Sequence, residues 1–203
     1  MSYHIKKSLI KDPKASAVLK LIEERQKPNV VSVNFSGLDL RGYCFQGVTL
    51  AKCNFQNTSL AGVDMSGAFL ADSDMTWAQL MGTNFSNAIL TKVNFSYADM
   101  RDANLSGANL QEANLSNSIL MNATLGNANL KLANLVNANL IEASLSFANL
   151  SEANLQMADL RLAALVGTNL INADLRNATL EGATYTRAQF NGANLAGVRG
   201  YFI

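Results

Sequence analysis

A five-residue period runs through most of the chain without insertion or deletion. It is clearest between Ala103 and Leu160, where units such as A-N-L-S-G and A-N-L-Q-E follow one another. Every residue whose number is a multiple of five, from Phe35 to Leu195, is large and apolar: 23 Leu, 6 Phe, 3 Met and one Tyr. Of the 33 residues that lie two places earlier, 21 are Ala. Because the phase never slips, this repeat constrains the fold more strongly than any local propensity.

Neither an α-helix nor a flat strand accommodates this period. On a helix, a five-residue step rotates the apolar position by about 140°, so the large side chains would point in all directions. In a flat strand, residues five apart point to opposite faces. The remaining solution is a chain that turns a corner in every unit and keeps the large and the small position inside. The predicted core includes Phe35, Phe45, Phe55, Leu110, Leu130, Leu150 and Leu170.

Turn-forming residues recur at the predicted corner, two places after each large residue. This position holds 11 of the 13 glycines and 8 asparagines. Gly and Asn tolerate the positive φ that a type II turn requires at its third residue. We therefore expect a turn at each of these positions, which winds the chain into a coil.

The outward positions indicate four units per coil. At a spacing of 20 residues, Trp77 lies next to Tyr97 in the neighbouring coil. The same spacing produces a column of alternating charge from Lys52, Asp72, Lys92 and Glu112. Opposite charges on strands about 4.8 Å apart attract each other. Four units per coil give about eight coils and a prism roughly 40 Å long.

The repeat resembles a known family, as shown by the runs Ala108-Asn109-Leu110, Ala113-Asn114-Leu115 and Ala153-Asn154-Leu155. Over residues 33–198 the chain resembles the pentapeptide repeat proteins. The resemblance implies an all-β solenoid, a right-handed quadrilateral β-helix with the large and small positions inside. Its handedness is implied by the resemblance and does not follow from the spacing.

The two ends of the chain depart from the repeat. In the basic segment 1–32 we predict a short capping helix over about residues 13–26, with Asp12 as N-cap and Pro13 at the first helical position. The helix is expected to cover the first coil. Residues 199–203 are expected to plug the last coil, and the alternative there is a homodimer through the C-terminal end. The alternative for the N-terminal segment is a basic docking arm made of His4, Lys6, Lys7, Lys11 and Lys14.

No group of residues has the spacing of a catalytic, metal or cofactor site. His4 is the only histidine, and the acidic residues are scattered singly over outward positions. We therefore predict no enzyme, no cofactor and no metal. Cys44 points outward and Cys53 inward, which indicates two separate thiols. The absence of a membrane-spanning run and of a signal-peptide core favours the cytoplasm, and a secreted effector without a cleavable signal is the alternative.

The outward side chains favour protein binding. Exposed Trp, Tyr, Met and Arg together are typical of interaction patches. A weaker second strip comprises Phe69, Ile89 and Leu132. We predict a non-catalytic bacterial scaffold or adaptor that binds an unidentified protein partner. The main apolar strip, which Arg101 and Arg161 interrupt, comprises Trp77, Met81, Tyr97, Met121, Ile141, Met157 and Leu162.

The alternative function, implied by the quinolone-resistance branch of the family, is a DNA-mimicking regulator of DNA gyrase. Mimicry requires rows of carboxylates that imitate phosphates. The coil region, however, carries nine basic against twelve acidic residues. The chain also lacks the loops that interrupt the coil in some quinolone-resistance members, and we predict no direct nucleic acid binding. The acidic columns are broken by Arg41, Lys52, Lys92 and Lys131.

Overall fold

The protein is a four-sided solenoid in the computed structural model, which describes residues 12–200. Parallel bridges join residues 20 places apart, from Asn34 with Asn54 to Thr179 with Arg199. Four such bridges form in each coil, so each coil has four sides. Residues 29–200 make between eight and nine coils. The predicted coil length of four units is therefore confirmed.

Among the described residues, two runs form regular strands, β1 (Asn29–Val31) and β2 (Thr49–Ala51), which pair in parallel. Elsewhere each side contributes one bridge residue per coil, because the corners leave no room for longer strands. The solenoid begins at Asn29 rather than at the predicted residue 33, since β1 already pairs with the next coil. It also includes Arg199, which we assigned to the plug, because the Arg199 N–H donates to the Ala178 carbonyl oxygen (3.0 Å).

Some predictions fall on residues outside the described range. Residues 201–203 of the predicted plug lie there. So do four residues of the predicted basic arm, namely His4, Lys6, Lys7 and Lys11.

All five backbone N–H groups of a repeat unit have partners, as unit 104–108 shows. The N–H groups of Asn104 and Leu105 donate to carbonyl oxygens of the preceding and following coils (3.0 and 2.7 Å). Gly107 N–H donates to the following coil (2.9 Å), and Ala108 N–H closes the turn by donating to the Leu105 carbonyl oxygen (3.0 Å). The fifth, Ser106 N–H, donates to the side-chain Oδ1 of Asn104 (3.1 Å). Asn before the large residue therefore completes the backbone hydrogen bonding.

The corners have the predicted backbone conformation. Every corner residue from 37 to 197 in steps of five has a positive φ, between 54° and 85°. Gly occupies 11 of these 33 corners. The others hold residues with a side chain, many of them Asn, which the left-handed conformation tolerates better than most.

The interior is filled by the two inward rows. All large residues from Phe35 to Leu180 at multiples of five are completely buried, including every residue of the predicted core. Phe35 stacks on Phe55 of the next coil, with ring centroids 4.9 Å apart. Hydroxyls at small inward positions donate to backbone carbonyl oxygens (2.6–2.9 Å), as for Thr58 and Ser73. Within residues 12–200, no buried side-chain polar atom is left without a partner.

Helix α1 (Pro13–Glu23) begins as predicted but ends earlier. Asp12 Oδ1 accepts from the backbone N–H of Lys14 (2.8 Å), and Pro13 occupies the first turn. The predicted end at residue 26 is wrong, because Arg25 adopts a positive φ of 58°. Arg25 N–H then donates to the Ile22 carbonyl oxygen and Gln26 N–H to that of Leu21 (both 2.9 Å). This closing motif ends the helix before Pro28 is reached.

The helix covers the first coil. Ala15, Val18, Leu19 and Ile22 are buried in the same apolar cluster as the coil interior. Asp12 Oδ2 accepts from the backbone N–H of Asn34 (2.9 Å), which ties the helix start to the edge of the first coil. Near the helix end, the Tyr43 hydroxyl donates to Glu23 Oε1 (3.0 Å). Burial and this carboxylate raise the pKa of Tyr43 to about 12.

Candidate interaction surface

Each side of the prism carries two rows of outward side chains and each corner one, repeating every 20 residues. On one side, the Asp39 row contains residues 39, 59, 79 and onward to 179, and the Arg41 row contains residues 41, 61, 81 and onward to 181. This side is bounded by the Trp77 corner (37, 57, 77 and onward) and the Leu162 corner (42, 62, 82 and onward). These four rows together are named the Met–Arg face.

The predicted main strip lies entirely on the Met–Arg face. It divides into an exposed N-terminal group, a half-buried middle and an exposed C-terminal group. The structure adds Ile119, an exposed residue of the Asp39 row that the sequence analysis missed. The sequence did contain a signal for Ile119: it directly precedes Leu120, and residues in that position of the repeat point outward. The three groups are Trp77, Tyr97 and Met81, then Met121 and Ile141, then Met157 and Leu162.

Trp77 and Tyr97 form an aromatic stack on the Trp77 corner. Their ring centroids are 4.4 Å apart and the ring planes are nearly parallel, at 9°. The spacing follows from the coil rise, because equivalent residues of neighbouring coils lie about 4.8 Å apart. Trp77 nevertheless remains 57% exposed and Tyr97 46% exposed. The stack is thus an exposed aromatic ridge on this corner.

Three Asp–Arg pairs cross the Met–Arg face at regular height. In each pair the Arg Nη2 donates to Asp Oδ2 (2.6–2.7 Å) and the Arg Nε donates to Asp Oδ1 (2.8–2.9 Å). These hydrogen bonds hold the pKa of Asp39, Asp99 and Asp159 below the ordinary value. The charges of these three pairs are therefore held in place and neutralise each other, while Asp102, Glu142 and Glu181 add further carboxylates to the face. The pairs are Asp39 with Arg41, Asp99 with Arg101, and Asp159 with Arg161.

Large apolar side chains occupy corners where the backbone disfavours them. Trp77, Tyr97, Met157 and Leu162 all have φ between 56° and 61°. A residue with a side chain in this conformation costs about 1 kcal/mol relative to Gly. These side chains are also exposed, so burial in the core does not offset the cost. Neither local backbone preference nor core packing accounts for them.

Phe147 and Leu132 show the same combination on the other two corners. Phe147, at φ 60°, is 62% exposed, and the sequence analysis missed it. Its ring lies over Gly167 of the next coil, where a Cβ would come within 2.8 Å of ring atoms. Leu162 likewise lies over Gly182, where a Cβ would come within 2.7 Å. Corner side chains thus extend over the next coil, and glycine there provides the space.

The second predicted strip lies on a different side. Phe69 and Ile89 are exposed and bridge each other in register, and Leu132 is exposed on the adjoining corner. The charge column predicted on that corner forms one ion pair among the described residues, Lys92 with Glu112 (3.5 Å).

The metal-ligating side chains of residues 12–200 do not form a cluster. No group of three His, Cys, Asp or Glu side chains in this range could hold a metal ion. Cys44 is exposed and Cys53 is buried, and burial raises the pKa of the Cys53 thiol. An open cavity of about 400 Å³ lies between the helix end and the first coil, lined by Arg25, Lys27 and Cys44 among others. None of the helices described is both long enough and apolar enough to cross a membrane.

Comparison with known proteins agrees with the repeat geometry. Eight copies of the pentapeptide repeat family model match, between residues 49 and 199. HetL of the cyanobacterium Nostoc sp. strain PCC 7120, a pentapeptide repeat protein involved in heterocyst differentiation regulation, is 29% identical. The alignment covers 90% of this chain and 95% of HetL, with a TM-score of 0.53.

A second solved structure shows the same fold at lower identity. Full-length QnrB1, a plasmid-mediated fluoroquinolone resistance protein, is 18% identical over 85% of this chain and 93% of its own, with a TM-score of 0.51. This likeness concerns the fold alone. No curated protein sequence matches significantly. The family match and the four-sided coil together show that the chain belongs to the pentapeptide repeat family and forms its right-handed quadrilateral β-helix.

Proposed function

We propose that this protein is a non-catalytic scaffold or adaptor that binds another protein through the Met–Arg face. One observation carries the proposal: Trp77, Tyr97, Met157 and Leu162 are exposed at corners with positive φ. Gly or Asn at these corners would suit the backbone better. Aromatic and Met side chains at that position instead provide the apolar contact area on which protein interfaces depend.

The family supports the same conclusion. Pentapeptide repeat proteins are generally structural or interaction proteins rather than enzymes. HetL, which is similar over nearly its whole length, is involved in regulation. A rigid prism is suited to such a role, because its binding groups are held in place before the partner arrives. The unpaired thiols, one of them exposed, favour the cytoplasm as the compartment.

The alternative of a DNA-mimicking gyrase regulator has weaker support. On the Met–Arg face the carboxylates of Asp39, Asp99 and Asp159 are each paired with an Arg. Paired carboxylates cannot imitate a continuous row of phosphates. A supercoiling assay with DNA gyrase, with and without ciprofloxacin, tests this alternative. An absence of effect at micromolar protein removes it.

The scaffold proposal is tested with a variant that should bind less without folding less well. Trp77→Asn with Tyr97→Asn removes the aromatic stack but places a residue that tolerates positive φ at both corners. We expect the melting temperature to be maintained and at least one partner to be lost in pull-downs from the native host. Circular dichroism provides the melting temperature.

Phe147→Asn is the matched control. It removes an equally exposed aromatic residue from a corner with the same φ, but outside the Met–Arg face. The proposal predicts unchanged partners for this variant. Partners that survive the Trp77 and Tyr97 changes but are lost with Phe147→Asn would place the binding surface elsewhere.

A further inference from the structure

We propose that the Met–Arg face binds a second copy of this chain, in a side-by-side dimer whose two prisms run parallel. This inference rests on the proposed function, because it uses the same face. It takes a second copy of this chain as the protein that binds there. The two copies would be related by a two-fold axis parallel to the long axis of the prisms. Such an interface is isologous, with the same patch on both copies.

The order of charges across the face carries the proposal. At three heights, 60 residues apart, the Asp39 row holds Asp and the Arg41 row holds Arg. A two-fold axis parallel to the prism exchanges left and right but keeps the height. The Asp39 row of one copy therefore lies opposite the Arg41 row of the other. Asp99, for example, comes opposite Arg101 of the second copy.

The paired charges retain hydrogen-bonding capacity for this contact. A guanidinium has five N–H donors, and the Nε and Nη2 groups of Arg101 are directed at Asp99. The side chains of Arg101 and Arg161 are 46% and 48% exposed, so their remaining donors can reach carboxylates across the interface. Each height then forms a four-membered group of alternating charge. Such a group keeps its own four charges paired after water is excluded, which buried charges require.

Between the charged heights, the Asp39 and Arg41 rows are apolar or neutral and match under the same symmetry. The Leu162 corner also carries Asp102 and Glu142, which come opposite Tyr97 and Asn137 of the second copy. Ile119 comes opposite Met121 of the second copy, and Met81 comes opposite Gln79. At the edges of the face, Met157 comes opposite Leu162. The exposed Met and Ile side chains would thereby be covered.

The same symmetry places the aromatic stack opposite an uncrowded corner of the second copy. Trp77 comes opposite Gly82 of the second copy. A Cβ at Gly82 would have no atom within 4 Å, so this corner of one chain is open. The largest exposed side chain of the face thus meets one of its least crowded corners.

The antiparallel arrangement does not match in this way. A two-fold axis across the prism keeps left and right and inverts the height, so the Asp39 row would face itself. Like charges in direct opposition are unfavourable at an interface.

The size of the face suits the parallel dimer, since a strip about 40 Å long and about 15–20 Å wide covers roughly 600–800 Å² on each copy, close to that of standard interfaces.

The first experiment measures the molar mass of the full chain by light scattering from about 1 to about 100 µM. We expect a dimer that Arg101→Glu with Arg161→Glu weakens at least about tenfold, because both rows then become acidic. Arg176→Glu is the matched control. Arg176 forms the same pair with Asp174 (2.7 Å) on the neighbouring side of the prism, so its loss should leave the dimer intact. Circular dichroism verifies that all three proteins are folded.

The second experiment determines the orientation by disulfide cross-linking, in chains with Cys44→Ser. A Gln79→Cys chain mixed with a Met81→Cys chain should cross-link under mild oxidation. Cross-linking of Gln79→Cys with Ile119→Cys instead would indicate an antiparallel pair whose axis lies at the height of Asp99, and would overturn the proposal. A dimer through the C-terminal end would give neither product and would also overturn it.

The outcomes separate this inference from the proposed function. A monomer at all concentrations, or a dimer insensitive to Arg101→Glu with Arg161→Glu, would overturn the dimer. The pull-down with Trp77→Asn and Tyr97→Asn reports separately on other partners. Failure of one proposal can therefore be recognised without failure of the other.

Discussion

The two ends of the solenoid are closed to different degrees. Over the first coil, helix α1 buries four apolar side chains, and the large residues of that coil are completely buried. In the last coil the same inward rows are half-buried, at Tyr185, Phe190 and Leu195. A solenoid is stabilised by contacts between neighbouring repeats, so a terminal coil has such contacts on one side only. The helix replaces the missing neighbour at one end, and we therefore expect unfolding to begin at the other.

The largest loss of stability is expected when a carboxylate is placed inside the middle of the prism, and the last coil provides the comparison. Leu130→Asp places a carboxylate in a completely buried position and should destabilise the protein by several kcal/mol. Leu195→Asp makes the same change in a half-buried position and should cost much less, because water can reach the carboxylate. Denaturant unfolding followed by circular dichroism measures both. Equal losses would show that the last coil is as well closed as the middle.

A smaller loss of stability is expected from truncating one apolar side chain at each end of the solenoid. Leu19→Ala removes a side chain that is 2% exposed under the helix, and we expect a cost of about 2–4 kcal/mol. Phe190→Ala removes a larger but half-buried side chain from the last coil and should cost less than about 2 kcal/mol. The same unfolding measurement applies. A greater loss for Phe190→Ala would reverse the proposed order of the ends.

The smallest effect concerns the attachment of the helix and depends on pH. Hydrogen bonds from the backbone N–H groups of Asn34 and Lys14 lower the pKa of Asp12 below its ordinary value of 3.8. A lowered folded-state pKa stabilises the fold above the unfolded-state pKa, and the contribution is lost as the pH falls through the folded value. Asp12→Ala should thus lower the melting temperature at pH 7 and have a vanishing effect in acid well below pH 3.8. A difference that persists in acid would contradict the assigned role of the carboxylate.

The sequence predicted the interior of the prism almost completely. Five-residue spacing assigns each residue to the inside, the outside or a corner, and the left-handed corners follow from their Gly and Asn content. The coil length could be predicted because side chains in neighbouring coils interact, as the Trp77–Tyr97 stack shows. The inward positions, the corner conformation and the coil length could all be predicted because they follow from the repeat and not from single residues.

Features that depend on single residues were less predictable. The end of helix α1 was missed because Arg25 adopts a positive φ without being Gly or Asn. Phe147 was missed because it lies outside both predicted apolar strips, and a single outward apolar residue gives no signal of its own in the sequence. Arg101 and Arg161 were interpreted as interruptions, since their pairing with Asp99 and Asp159 becomes evident only when the hydrogen bonds are seen.

The corner at every fifth residue has a consequence for how such a chain can change in length. Loss of a whole coil of 20 residues would leave each remaining side chain on its own side of the prism. Loss of one five-residue unit would preserve the packed interior equally well, yet it would turn everything on one side of the deletion by a quarter of a revolution. Trp77 and Tyr97 would then occupy different corners if the lost unit lay between them. Folding thus tolerates changes in steps of five, whereas a surface pattern such as the Met–Arg face survives only changes in steps of 20.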